Sequence, residues 1–271
     1  MTHPSSAVRT PASGVAALPR NRILAALPAE ERERLDPHLR RESLAVKDVV
    51  IDYDRPIERV YFPEDAIISL VGLGVDGSAV ETATIGNEGV VGFRVFLGAD
   101  RMPAQAFCQV PGDALSLDSA TFRAEVARRG ELATLLGRYT AALFTLVAQS
   151  SACNRLHTTR ERCARWLLMT HDRRGRDDIP LTQQFLSQML GVRRATITEV
   201  AGSLQADGLI EYSYGRVRVR DRAGLEAASC ACYALVAREY ARLLEGRELP
   251  DPLAGTRFTE RGKSAARDGV P

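Results

Sequence analysis

The sequence predicts an α+β chain in three consecutive parts: an N-terminal β-roll, a long amphipathic helix and a C-terminal winged helix-turn-helix. Three observations carry that reading. Residues 44–117 hold short β-branched and aromatic runs separated by turn signals. Residues 131–151 repeat apolar side chains at intervals of three and four. Residues 181–220 join two amphipathic segments through a glycine to an alternating Val/Arg strand. A chain of 271 residues with 45% hydrophobic content can bury one or two cores.

Residues 1–20, rich in Ser, Ala, Thr and Pro, are expected to lack fixed structure. They contain no apolar signal core, and nowhere do about 18 uncharged apolar residues run together, so neither secretion nor membrane spanning is expected. Residues 21–130 form the expected β-roll domain. It opens with two short helices broken at Pro28 and Pro37, then passes to runs such as Val49-Val50-Ile51, Val60-Tyr61-Phe62 and Ala79 to Ile85. Asp76-Gly77, Gly86-Asn87 and Pro111-Gly112-Asp113 punctuate them. Many short strands at this spacing suggest a jelly roll or small barrel.

Asp118 reads as an N-cap, followed by a helix and then the long helix at residues 131–153. There Leu132, Leu135, Leu136, Tyr139, Leu143 and Leu146 fall on one face. The stripe is too long for one small barrel to cover, so these residues are expected to form a dimer seam of paired helices. Residues 154–245 make up the third part: a helix over Thr158–Thr170, a polar link over His171–Asp178, the two-helix motif, the wing, and a last helix over Gly224–Glu245. Residues 246–271 read as a charged, unstructured tail.

Within the motif, Thr182 can cap a helix whose Phe185, Leu186, Met189 and Leu190 face inward, and Gly191 permits the left-handed turn that ends it. The next helix buries Ile197, Val200, Ala201 and Leu204. Arg194, Ala195, Thr198, Glu199 and Gly202 then lie on the outer face, which such a helix offers to a DNA major groove. Arg194, Thr198 and Glu199 are expected to read bases: Arg bonds guanine bidentately, Glu accepts from cytosine, and Thr serves either role. Thr182, Arg193, Thr196, Arg216 and Arg218 are expected on the DNA backbone. In Arg216-Val217-Arg218-Val219-Arg220 the valines turn inward and the arginines outward, a cationic ribbon suited to phosphates.

Charge supports the division. Residues 45–122 carry five basic and twelve acidic residues, a local −7, whereas residues 154–222 carry thirteen Arg and eight carboxylates, a local +5. The expected partner of the basic half is double-stranded DNA. Five cysteines form an odd set in a chain large enough to need no staples, which suits the reducing cytoplasm. Cys230-Ala231-Cys232 supplies two thiols spaced by one residue, too few to complete a metal site, so both are expected to be structural; no metal and no cofactor are expected.

The order acidic β domain, long helix, winged helix-turn-helix resembles the Crp/Fnr family of bacterial transcription regulators over about residues 21–244. The strongest match is Leu190-Gly191-Val192-Arg193-Arg194-Ala195-Thr196-Ile197-Thr198, and Arg59 to Val71 looks like that family's sensor roll. The resemblance implies a cyclic-nucleotide-binding-like β-roll, a homodimer on a near-palindromic site with half-sites about 34 Å apart, and RNA polymerase as a further partner. Nucleotide-binding members present Gly-Glu for the ribose and Arg followed by Ser or Thr for the phosphate. Here Val91-Gly92 and Arg101-Met102-Pro103 stand in those places. Cyclic AMP is therefore not expected as effector, with Arg101 the one remaining candidate contact and the effector itself unknown. No cysteine precedes Cys108, so the family's N-terminal iron–sulfur ligands are missing.

An enzyme is not expected. His3, His38, His157 and His171 all lie outside the β segment, which removes the usual metal ligands of jelly-roll oxygenases, and no P-loop, nucleophile elbow or dinucleotide fingerprint occurs. The alternative is an architectural or recombination protein using the same DNA module without strong sequence preference.

Overall fold

The computed structural model describes residues 18–74 and 79–254. Of the segments expected to lack structure, residues 1–17 and 255–271 lie outside this range, as does the Asp76-Gly77 turn. The chain opens with α1 (Arg22–Ala25) and α2 (Ala29–Leu35), parted at Pro28 as expected. Asn21 is fully buried, and its side-chain oxygen caps α1 by accepting from the Ile23 and Leu24 amides at 3.2 Å. β1 (Arg40–Leu44) begins earlier than the apolar runs suggest. It is an edge strand with mostly solvent-facing side chains, so it lacks the hydrophobic signature.

The strands β2 (Val49–Ile51), β3 (Arg59–Pro63), β4 (Ile67–Leu73), β5 (Ala79–Ile85), β6 (Gln105–Val110) and β7 (Gly112–Asp118) fall on the predicted runs. They form two antiparallel sheets, ordered β1-β7-β3 and β2-β6-β4-β5. Val60, Phe62, Ile68, Ala106, Ala114 and Leu117 are buried between them in one core. Asp118 does occupy the N-cap of α3 (Ser119–Ala127), but its side chain makes no cap bond. Its carboxylate instead pairs at 3.3 Å with Arg59, its register partner on β3.

α4 (Glu131–Leu156) spans 26 residues, about 39 Å of helix. Beyond it lie α5 (Thr159–Arg174), β8 (Asp178–Pro180), α6 (Gln183–Leu190), α7 (Arg194–Ala206), β9 (Ile210–Ser213), β10 (Arg216–Val219), α8 (Arg222–Ala228) and α9 (Cys232–Glu245). The expected polar link 171–178 is thus partly helix, ended by Gly175, and partly a third strand of the wing sheet β8-β10-β9. The expected helix 224–245 breaks at 229–231.

The expected dimer seam is corrected. Leu132, Leu135, Leu136, Tyr139, Leu143 and Leu146 are at most 3% exposed within a single chain. The β-roll covers one side of them, and α9 lies along α4, placing Val236 and Tyr240 in the same core. Periodicity identifies a face that must be buried and says nothing of what buries it; here the cover comes from a helix almost a hundred residues away. α9, expected with the DNA module, therefore completes the first core. A second core, around Leu167, Leu168, Ile179, Leu186, Ile197, Leu204 and Val217, belongs to residues 163–225.

The two cores dock. Phe185 of α6, expected to face its own helix pair, meets Phe107 of β6 edge-on at 6.1 Å. The Trp166 indole donates to Glu81 at 3.0 Å, and Arg173 donates to Glu88 at 2.9 Å. Burial raises the Glu81 carboxyl to about 7, against hydrogen bonds from Ser69 and Trp166 and the charges of Arg173 and Arg165 that lower it. The folded chain then keeps this proton to higher pH than an unfolded chain, whose carboxyl titrates near 4.5. Below that value both states are protonated and Glu81 carries no penalty; between there and about 7, stability falls as pH rises. We expect a loss of roughly 2 kcal/mol between about pH 5 and 7.5, after discounting for the partial exposure of the side chain. In Glu81→Gln the loss should flatten, read from denaturant midpoints at the two pH values. An equally steep profile in the variant would show that other groups set the slope.

Candidate nucleic-acid interface

The helix-turn-helix is built from local rules. Thr182 caps α6, its hydroxyl accepting from the Phe185 amide at 3.2 Å. Gly191 ends α6 at φ +64, a conformation that strains residues with a Cβ, and Val192 donates back to the Ser187 carbonyl at 3.0 Å. The chain thereby turns sharply into α7. Ile197, Ala201 and Leu204 are buried and Val200 is half-buried; Arg194, Ala195, Thr198, Glu199 and Gly202 are exposed on the opposite face.

The start of α7 is electrostatically incomplete. Its first turn contains no acidic residue to meet the positive helix end; the exposed Arg193 occupies the N-cap and Arg194 the first helical position. Neither has a carboxylate partner among the described residues. A helix N-terminus flanked by two free guanidinium groups attracts phosphate. Thr198 is held across the motif, donating to Gln183 Oε1 at 2.9 Å and lying 3.2 Å from the Arg194 carbonyl. Glu199 is exposed and unpaired among the described residues, and Thr196 is half-buried on the flank.

The wing follows from the strand pattern. In β10 the valines are buried and the arginines exposed. Its hairpin turn, Tyr214-Gly215, has φ of +47 and +71, the pair of positive angles that the right-handed strand twist favours in a two-residue loop. Tyr214 stands fully exposed at the tip. The arginines are unequal: Arg216 pairs with Asp178 at 2.8 Å and Arg220 with Glu211 at 3.6 Å, whereas Arg218 has no carboxylate partner among the described residues.

The expected effector contact has a different setting. Arg101 is exposed, and its guanidinium donates to the Asp54 carbonyl at 3.3 Å. Val90 and Val91 are fully buried core residues. A cavity of about 350 Å³ lies elsewhere, lined among others by Arg22, Glu88, Asp172, Arg173, Arg222 and Tyr240. Sequence reasoning missed the Glu88–Arg173 pair that borders it. It also missed the convergence of Cys153 and His157 on Cys230 and Cys232. For the cluster the sequence signals were the Cys230-Ala231-Cys232 pair and the Cys153-x-x-x-His157 spacing on a helix; the Glu88–Arg173 pair left no local signal.

Fold and interface together define a DNA-binding protein of the helix-turn-helix class. Residues 161–228 match the Crp-like helix-turn-helix domain. The chain is also similar in structure to FixK2 from Bradyrhizobium japonicum (TM-score 0.61, 17% identity, covering 71% of this chain and 98% of that one). A CRP-family transcriptional regulator from Thermus thermophilus gives a TM-score of 0.57 at 20% identity, covering 69% and 96%. The c-di-GMP-responsive global regulator CLP of Xanthomonas campestris gives 0.57 at 16%, covering 72% and 100%. No curated protein matches the chain in sequence. The chain thus carries a Crp-like helix-turn-helix domain on the fold of the Crp/Fnr regulators. Among the described residues no helix is long and apolar enough to cross a membrane.

Proposed function

We propose that this protein is a Crp/Fnr-type transcription regulator that binds near-palindromic double-stranded DNA as a homodimer, without control by cyclic AMP. The observation that carries the reading is the pair of free arginines at the acid-free start of α7, next to a wing with Arg218 free. In this reading Arg194, Thr198 and Glu199 face base edges. Thr182, Arg193, Thr196, Arg216 and Arg218 face the backbone, and RNA polymerase is the further partner.

The dimer uses the outer face of α4, opposite the buried stripe. Thr134, Gly137, Ala141, Phe144, Ala148 and Ser151 are spaced alternately by three and four, and all are exposed. This is the seam spacing of paired helices, with small residues on either side of one large apolar side chain. Independence from cyclic AMP rests on the apolar burial of Val90 and Val91 and on an Arg101 that is exposed to water, where a buried phosphate needs an enclosed cation.

Selection of bound sequences from a random DNA pool at about 150 mM salt tests the reading, since that salt suppresses purely electrostatic binding. A two-fold symmetric motif is expected; binding without sequence preference favours the architectural alternative. On the recovered site, Arg194→Ala should cost about 1–3 kcal/mol and relax one base position. Arg218→Ala should weaken all sequences alike and reduce the salt slope by about one. Arg216→Ala should do less, because Asp178 already neutralises that cation. Equal, sequence-independent losses for Arg194→Ala and Arg218→Ala would refute the assignment of roles.

A further inference from the structure

We propose that Cys153, His157, Cys230 and Cys232 form a tetrahedral zinc site that clamps the end of α4 to the start of α9. Cys153 lies in the last turn of α4 and His157 follows four residues on, at its C-cap, so both project from one face. The break between α8 and α9 turns Cys230 toward them, and Cys232 is the first residue of α9. The four potential ligand atoms all lie within 4.8 Å of one another. Cys153 Sγ is 3.5 Å from Cys230 Sγ, and Cys232 Sγ is 3.5 Å from His157 Nδ1.

Those separations suit a single small ion. Zinc at about 2.3 Å from sulfur and about 2.0–2.1 Å from nitrogen holds tetrahedral ligand atoms about 3.5–3.8 Å apart, and three cysteines with one histidine are a closed structural set for it. A disulfide needs about 2.0 Å between sulfurs. An iron–sulfur cluster places its ligands on different irons and so spreads them more widely. Soft thiolates also disfavour magnesium and calcium.

The surroundings fit the same ion. Gln149, one turn before Cys153, donates its side-chain amide to Cys232 Sγ at 3.0 Å, the kind of outer bond that orients a ligating thiolate. Three thiolates around a dication leave one net negative charge. Arg165, buried and without a carboxylate partner among the described residues, is bonded at 3.0 Å to Ser150, which shares the Cys153 face of α4. The three cysteines are buried as a small cluster apart from both main cores. As zinc binds, each thiol releases its proton to solvent. The site falls at the joint where His157 is followed by Thr158, the cap of α5, so it braces the passage from the long helix to the DNA module. The proposal does not depend on the DNA-binding reading.

Metal analysis of the full chain, purified under reducing conditions, is expected to find about one zinc per chain. After chelation, cobalt(II) should bind with thiolate-to-cobalt charge transfer and the visible bands of tetrahedral cobalt, saturating at one equivalent and displaced by zinc. Cys153→Ser and Cys232→Ser should each weaken zinc binding by more than about a hundredfold, and Gln149→Ala by about tenfold. Cys108→Ser, in the β-roll core, should leave the stoichiometry at one. If the cysteine variants fail to fold, His157→Ala at its half-buried position should still alter the cobalt spectrum with unchanged circular dichroism. Absence of the cobalt bands in the reduced chain, their persistence undiminished in Cys153→Ser or His157→Ala, or stoichiometric iron and sulfide in place of zinc would overturn the proposal.

Discussion

Replacing Arg173 with Met is expected to destabilise the chain by about 3–5 kcal/mol, the loss that follows when one member of a buried ion pair is removed. Arg173 belongs to α5 of the DNA module, and Glu88 to the loop after β5. Both side chains are less than a tenth exposed, and their atoms meet at 2.9 Å. The guanidinium also donates to the Thr84 carbonyl and to the Met169 carbonyl, both at 3.2 Å. The aliphatic stem of Arg173 lies so close to Gly86 that a Cβ there would collide with it. Removing the cation strands a buried carboxylate whose second oxygen already lacks a hydrogen-bond partner among the described residues. Glu88→Leu combined with Arg173→Met should recover most of the loss, because an apolar pair carries no desolvation penalty. Denaturant unfolding of the two variants is the measurement. A single-variant loss below about 1 kcal/mol would mean that water reaches the pair and that the two cores are not rigidly docked.

Phe144→Glu should have the largest effect on DNA binding while leaving the protomer folded. The ring is 73% exposed at the middle of the outer face of α4, so the substitution removes no core contact. In the proposed dimer it would set two carboxylates against each other at the seam. A dimer engages its second half-site intramolecularly, a gain of about 10²–10⁴ in apparent affinity. Light scattering should show a monomer, affinity for the full palindrome should fall by at least about a hundredfold to that of a half-site, and circular dichroism should show the folded protomer retained, with unfolding no longer dependent on protein concentration. A variant that remains dimeric would place the self-association surface elsewhere. The contrasting change, Leu136→Ala on the buried stripe, should cost about 2–5 kcal/mol of protomer stability, which separates the inner face of the helix from the outer one.

Much of the fold was legible because its determinants act over a few residues. The Thr182 cap, the left-handed Gly191, the buried trio Ile197, Ala201 and Leu204, and the Val/Arg alternation of β10 each follow from backbone geometry and local periodicity. Asp118 shows the limit of such rules. Its position at the cap was readable, but its carboxylate turned to Arg59, 59 residues away in sequence.

By itself, then, the sequence determined the order of β-roll, long helix and winged helix-turn-helix, the element types and which residues of α7 and the wing face water, since these depend on neighbours within a turn or a strand. Only the tertiary structure decided what each buried surface meets. It covered the α4 stripe with α9 and so moved the candidate seam to the other face. It paired Arg173 with Glu88 across 85 residues and brought Cys153 to Cys230 across 77. Contacts of that kind depend on the path of the whole chain, and no local pattern of charge or hydrophobicity specifies which of many distant partners a side chain will reach.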